Sequence, residues 1–78
     1  MDAAVLARRS RLLEFLKFRV LAAQAEFFTA FADPVADELT YRPGTIREYL
    51  AIAHPESLAL QDEDLVEVFR QARRLYLP

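Results

Sequence analysis

Seventy-eight residues with ten Lys and Arg against twelve Asp and Glu give a net charge of −2, so no global field draws the chain to nucleic acid or an anionic membrane. There is no Cys and one His, which excludes disulfides and leaves a zinc centre unexpected, while an apolar fraction of 54% argues against disorder. A chain this short is near the lower limit of what one core stabilises alone, and oligomerisation or a partner is the expected aid.

Residues 3–32, AAVLARRSRLLEFLKFRVLAAQAEFFTAFA, contain neither Gly nor Pro, and their composition predicts one long helix of about 45 Å at ~1.5 Å per residue. Leu6, Leu13, Val20 and Phe27 recur at a spacing of seven, with Arg9, Leu16, Ala23 and Ala30 at the companion positions. That is a coiled-coil-like seam, apolar except at Arg9. Apolar residues also lie off the seam: Leu12 and Phe15 flank it, and Phe18 points nearly opposite. From Val20 to Ala32 the polar residues are Gln24, Glu26 and Thr29, so this segment reads as buried nearly all round.

Prolines punctuate the remainder. Asp33-Pro34 should end the long helix and open a short one over residues 34–39. Arg42-Pro43-Gly44-Thr45 reads as a type II turn, with Pro at the second place and Gly at the third. Thr45 and Glu48 then have capping-box spacing for a helix over residues 46–53, with Ile46, Tyr49, Leu50 and Ala53 on one face. His54-Pro55 ends it, and Pro55 to Leu60 is expected to form a turn that lays Leu58 and Leu60 on the core. A last helix over residues 62–76 has Asp62, Glu63 and Asp64 at its start and Arg70, Arg73 and Arg74 near its end, as the helix dipole favours. Its buried stripe is Leu65, Val68, Phe69, Ala72 and Leu75 or Tyr76. The expected fold is all-α, a small helical bundle forming one domain over residues 1–78, with two or three shorter helices packed against the long one.

Four features bear on function. Arg8, Arg9 and Arg11, with Lys17 and Arg19 farther along, could meet phosphates, but three arginines on an acidic chain more simply make a solvated helix end with packed stems. His54 could serve as a general base with Glu56 or Glu48, yet no nucleophile pattern completes a site, and an imidazole at a helix end more simply caps it. The acidic run 61–64 lacks the alternating ligands and Gly of a calcium loop. The aromatic excess Phe15, Phe18, Phe27, Phe28 and Phe31 exceeds what about forty residues of short helices can cover.

These readings converge on a non-enzymatic protein-protein interaction module: a homodimeric regulator, inhibitor or chaperone-like adaptor that binds another protein through its long helix. The expected interface is Leu12, Phe15, Leu16 and Phe18, rimmed by Arg8, Arg11 and Arg19. No catalytic residue, cofactor or metal is expected. The alternative is a small dimeric DNA-binding or transcription-associated regulator using the arginine surface from residue 8 to 19. No stretch approaches the ~18 consecutive apolar residues of a membrane span. The arginines fall where a signal peptide would be apolar, so a cytoplasmic location is expected.

Overall fold

Asp2 opens the first helix, its carboxylate accepting a hydrogen bond from the Ala4 N–H at 2.8 Å. The fold is that of a computed structural model, in which residues 2–32 and 41–77 are described. It is an all-α bundle of α1 (Ala3–Ala23), α2 (Ala25–Thr29), α3 (Pro43–Ala53), a 3-10 turn (Pro55–Ala59) and α4 (Asp62–Tyr76). Its extents are 32 × 24 × 24 Å.

Helix α1 buries Leu12, Leu16 and Val20, a stripe stepped by four residues, along α4. Val5, Leu13 and Phe15 pack at its margins. The seven-residue seam coincides with the packing face only in part: Leu13, Leu16, Val20 and Phe27 pack on the core, whereas Leu6 is half exposed and Ala23 and Ala30 lie in solvent. A bundle core takes the ~3.6-residue stripe that faces it, and here that stripe contains Leu12 and Leu16.

The long helix expected over residues 3–32 is broken at Gln24, which has φ 56° and ψ −140°. That region is essentially glycine's, and a side chain there costs ~1–3 kcal/mol. The cause is tertiary. A straight helix of about 45 Å would overrun a molecule 32 Å long, whereas the bend returns Phe27, Phe28 and Phe31 to the core. Phe69 of α4 lies at the centre of that cluster, with ring centroids of Phe31, Phe27, Tyr41 and Phe28 at 5.0, 6.0, 6.3 and 6.5 Å. The segment after Val20 is consequently one-sided rather than buried all round: Leu21, Ala22, Ala25 and Ala30 are exposed.

The short helix expected over residues 34–39 lies outside the described residues. Beyond it, Ala32 and Tyr41 form an isolated antiparallel bridge, and the Arg42 N–H donates to the Phe31 carbonyl at 2.9 Å. Helix α3 begins at Pro43, three residues before its expected start. Proline is well suited to the first helical position, where its missing N–H costs nothing. Thr45 and Gly44 are thus inside the first turn, no described glycine has positive φ, and neither the type II turn nor the capping box forms. Ile46 and Leu50 are buried as expected, with Tyr49 and Ala53 half-buried.

Helix α4 spans the expected residues, acids first and Arg73 and Arg74 last. Leu65, Val68, Phe69 and Ala72 are fully buried. Leu75 is 59% exposed, so Tyr76 continues the packed stripe instead.

Candidate interaction surface on helix α1

Phe18 is two residues from both Leu16 and Val20, on the opposite side of a helix that turns ~100° per residue. It is 66% exposed, and Leu21, three residues on, is 61% exposed. Three residues apart on a helix, the two side chains are neighbours and form an apolar ridge. Glu14, Lys17 and Ala22 surround it, all exposed. The ridge is on a helix of 21 residues whose other side is core, so its backbone is held in place.

The expected interface separates into three groups. Leu12 and Leu16 are fully buried in the single chain and are not part of its outer surface. Within the single chain they fill the core, because α4 covers that stripe. Phe15 is half-buried, its ring stacked on the His54 imidazole at 4.8 Å between centroids, with the Arg19 guanidinium 5.3 Å from the same ring. Phe18 remains outside.

The basic side chains are largely turned to their own chain. Arg9 pairs with Asp64 at 3.6 Å and Arg11 with Glu56 at 3.3 Å. Arg8 is half-buried, its Nε atom out of solvent and without a hydrogen-bond partner among the described residues. Stem packing, as much as charge, is what these residues supply.

His54 ends α3. Its Nδ1 is 2.6 Å from the Ser57 hydroxyl, and its Nε2 is 3.1 Å from Glu56 Oε1. The Ser57 N–H in turn donates to the His54 carbonyl at 3.1 Å. A serine, an imidazole and a carboxylate are in a chain, but Ser57 is fully buried, so no substrate carbonyl can approach its oxygen. The imidazole makes no side-chain cap on the 3-10 turn; it joins the Ser57 and Glu56 side chains, with Glu56 rather than Glu48 as the carboxylate.

The acidic run is likewise engaged, Asp64 with Arg9 and Asp62 with Arg47 at 2.6 Å. Among the described residues no group of three His, Asp or Glu side chains is placed to hold a metal ion. Arg47 was not legible as important in the sequence. Its guanidinium also donates to the Leu58 and Leu60 carbonyls, at 3.1 and 2.7 Å, and so closes the 3-10 turn onto α3. Nothing local in the sequence marks it, because its acceptors are backbone atoms 11 and 13 residues away.

Two shallow depressions flank α1 and α2. One, of about 230 Å³, is lined by Leu6, Arg9, Ser10, Leu13 and Gln71; the other, of about 160 Å³, by Ala25, Phe28, Thr29, Ala32 and Arg73. Both are smaller than the ~300–1,000 Å³ of typical small-molecule sites. Burial raises the pKa of Tyr49, against a smaller opposing pull from Arg19, and raises that of Tyr76, with Glu14 adding to it. The Tyr49 hydroxyl has no hydrogen-bond partner among the described residues. No helix among them is long and apolar enough to cross a membrane.

No protein-family model matches this chain, and searches of curated proteins and of solved structures found no match either.

Proposed function

We propose that this protein is a non-enzymatic protein-binding module, a small regulator, inhibitor or chaperone-like adaptor. On this reading it pairs with a second copy or docks a larger protein through the outer ridge of α1. The observation that carries it is the exposure of Phe18 and Leu21 side by side on a helix whose opposite stripe is core. Large apolar side chains clustered on rigid backbone are what hot spots require, since little conformational freedom remains to be lost. Phe15 would form the ridge's inner edge, and Arg11, Lys17 and Arg19 a polar rim. The ion pairs of Arg9 and Arg11 with Asp64 and Glu56 lend no support to DNA binding through the same helix. The absence of Cys fits a reducing compartment such as the cytoplasm.

Light scattering behind a sizing column, over a range of concentrations, tests the pairing. For the native protein, never unfolded, the expected result is a dimer in reversible, concentration-dependent equilibrium with monomer, which Phe18→Asp and Leu21→Asp each convert to monomer without loss of helicity. A wild type that stays monomeric throughout would remove self-pairing. A monomer whose Phe18→Asp variant retains every partner captured by the wild type would remove the ridge as a docking surface altogether.

A further inference from the structure

The bend at Gln24 sets local sequence against tertiary packing. Its φ of 56° and ψ of −140° belong to a region that side-chain-bearing residues rarely occupy, and Gln24 is the one non-glycine with positive φ among the described residues. No side-chain hydrogen bond at Gln24 caps α2. On either side the chain reads Leu-Ala-Ala-Gln-Ala-Glu, which favours an unbroken helix. Residues 21–26 are all exposed, so no packing of their own opposes straightening. What holds the bend is the burial of Phe28 and Phe31 against Phe69.

We infer that Gln24 is a hinge through which two copies of this chain exchange α1. With the hinge straightened, α1 and α2 become one helix, and α1 leaves its own α4. It then lays Leu12, Leu16 and Val20 on the α4 of a second copy, whose α1 makes the reciprocal contact. The contacts of α1 with α4 and with the 3-10 turn are kept between copies, those with α2 across the bend are given up, the backbone strain at two hinges is released, and the helix that local propensity favours is formed. Exchange of this kind is a low-cost route to a dimer when the exchanged element is joined at a short, strained hinge. Because α1 is the first described element, nothing described must be threaded past it. The exchanged dimer does not require the Phe18 and Leu21 ridge, so it stands or falls separately from pairing through that surface.

The ion pair between Arg9 of α1 and Asp64 of α4 supplies a reporter. In Arg9→Asp and in Asp64→Arg, like charges meet within each chain. When the two variants are unfolded, mixed and refolded together, an exchanged heterodimer restores opposite charges at both contacts, and an unexchanged pair restores neither. The experiment is refolding at high protein concentration followed by native mass spectrometry, for the wild type, the mixed charge variants, Gln24→Gly and Phe18→Asp.

The inference expects a wild-type dimer that persists on dilution and a mixed population enriched in heterodimer above the random half. It also expects a dimer fraction lowered in Gln24→Gly by roughly fivefold or more, as relief of strain in the bent form requires. Phe18→Asp should leave that fraction unchanged. A wild type that refolds to monomer at every concentration overturns it, as does a random heterodimer share or a Gln24→Gly dimer equal to the wild type. A dimer lost in Phe18→Asp also overturns it while supporting the surface pairing.

Discussion

Phe15 stacks on His54 with 4.8 Å between ring centroids and 29° between the ring planes, joining the middle of α1 to the end of α3. Phe18, one turn farther along α1, has no ring partner among the described residues and is 66% exposed. Two phenylalanines of the same helix thus have different thermodynamic roles. Phe15→Asp should lower unfolding free energy by about 2–4 kcal/mol, because it removes a packed ring and places a charge in its site. Phe18→Asp should change it by no more than ~0.5 kcal/mol. Urea titration followed by circular dichroism measures both, and equal costs would show that Phe18 too is part of the core.

Arg47 holds three acceptors: Asp62 Oδ1 and the carbonyls of Leu58 and Leu60. Removing its guanidinium leaves the two part-buried carbonyls without that donor. Arg47→Ala should therefore cost about 2–3 kcal/mol, and Arg47→Lys should recover little of it, because one ammonium cannot replace the forked donor set. Asp62→Asn should cost less than either, since Asp62 is exposed and the carbonyl contacts survive. Chemical denaturation of the three variants gives the order directly.

Gly44 provides a test of where α3 begins. It is in the first helical turn without positive φ, and a β-carbon there would meet nothing within 4 Å. Gly44→Ala should stabilise the protein by about 0.4–1 kcal/mol through the entropy of the unfolded chain. A type II turn would have demanded positive φ at this residue, and the same substitution would then destabilise. A fall in melting temperature on Gly44→Ala would return the turn to this position.

Tyr49 and Tyr76 bear on alkaline stability. Burial raises both phenol pKa values above the ordinary 10.0, so the folded chain keeps protons that the unfolded chain has released. The unfolded state binds fewer protons over that interval, and stability therefore falls as pH rises from about 10 towards the folded values. Well below pH 10, where both states keep the proton, the two phenols contribute no slope. Tyr49→Phe should flatten the alkaline fall and, by removing a buried hydroxyl that lacks a partner among the described residues, leave neutral stability equal or higher. Melting temperatures between pH 8 and 12 check both parts.

How much of this was legible depended on whether local and tertiary demands agreed. At α4 the acids, arginines and apolar stripe all specify one helix, and its limits are the expected ones. At Gln24 they disagree. Ala22, Ala23 and Ala25 specify helix, and the break arises from three phenylalanines reaching a ring 40 or so residues distant, which no local pattern records. At Pro43-Gly44 one dipeptide suits both a turn and a helix start, and the structure takes the second. The exposed ridge was half legible. Apolar residues surround α1, so the sequence showed an excess without showing which stripe α4 would take. Phe18 lies opposite Leu16 and Val20 of the seam, and Leu12 joins those two on the covered side.

The opposition of Phe18 to Leu16 and Val20 across one helix has a further consequence. A protein seated on the ridge would have nothing to order there, since the backbone beneath Phe18 is already fixed by the core, and each bound molecule would instead brace the stripe behind it. Occupancy would thus be readable as heat resistance: a partner at a hundred times its dissociation constant adds roughly 2.7 kcal/mol to the folded state. A melting-temperature screen of candidate proteins, with Phe18→Asp as the blank, would sort binders from bystanders with no activity assay.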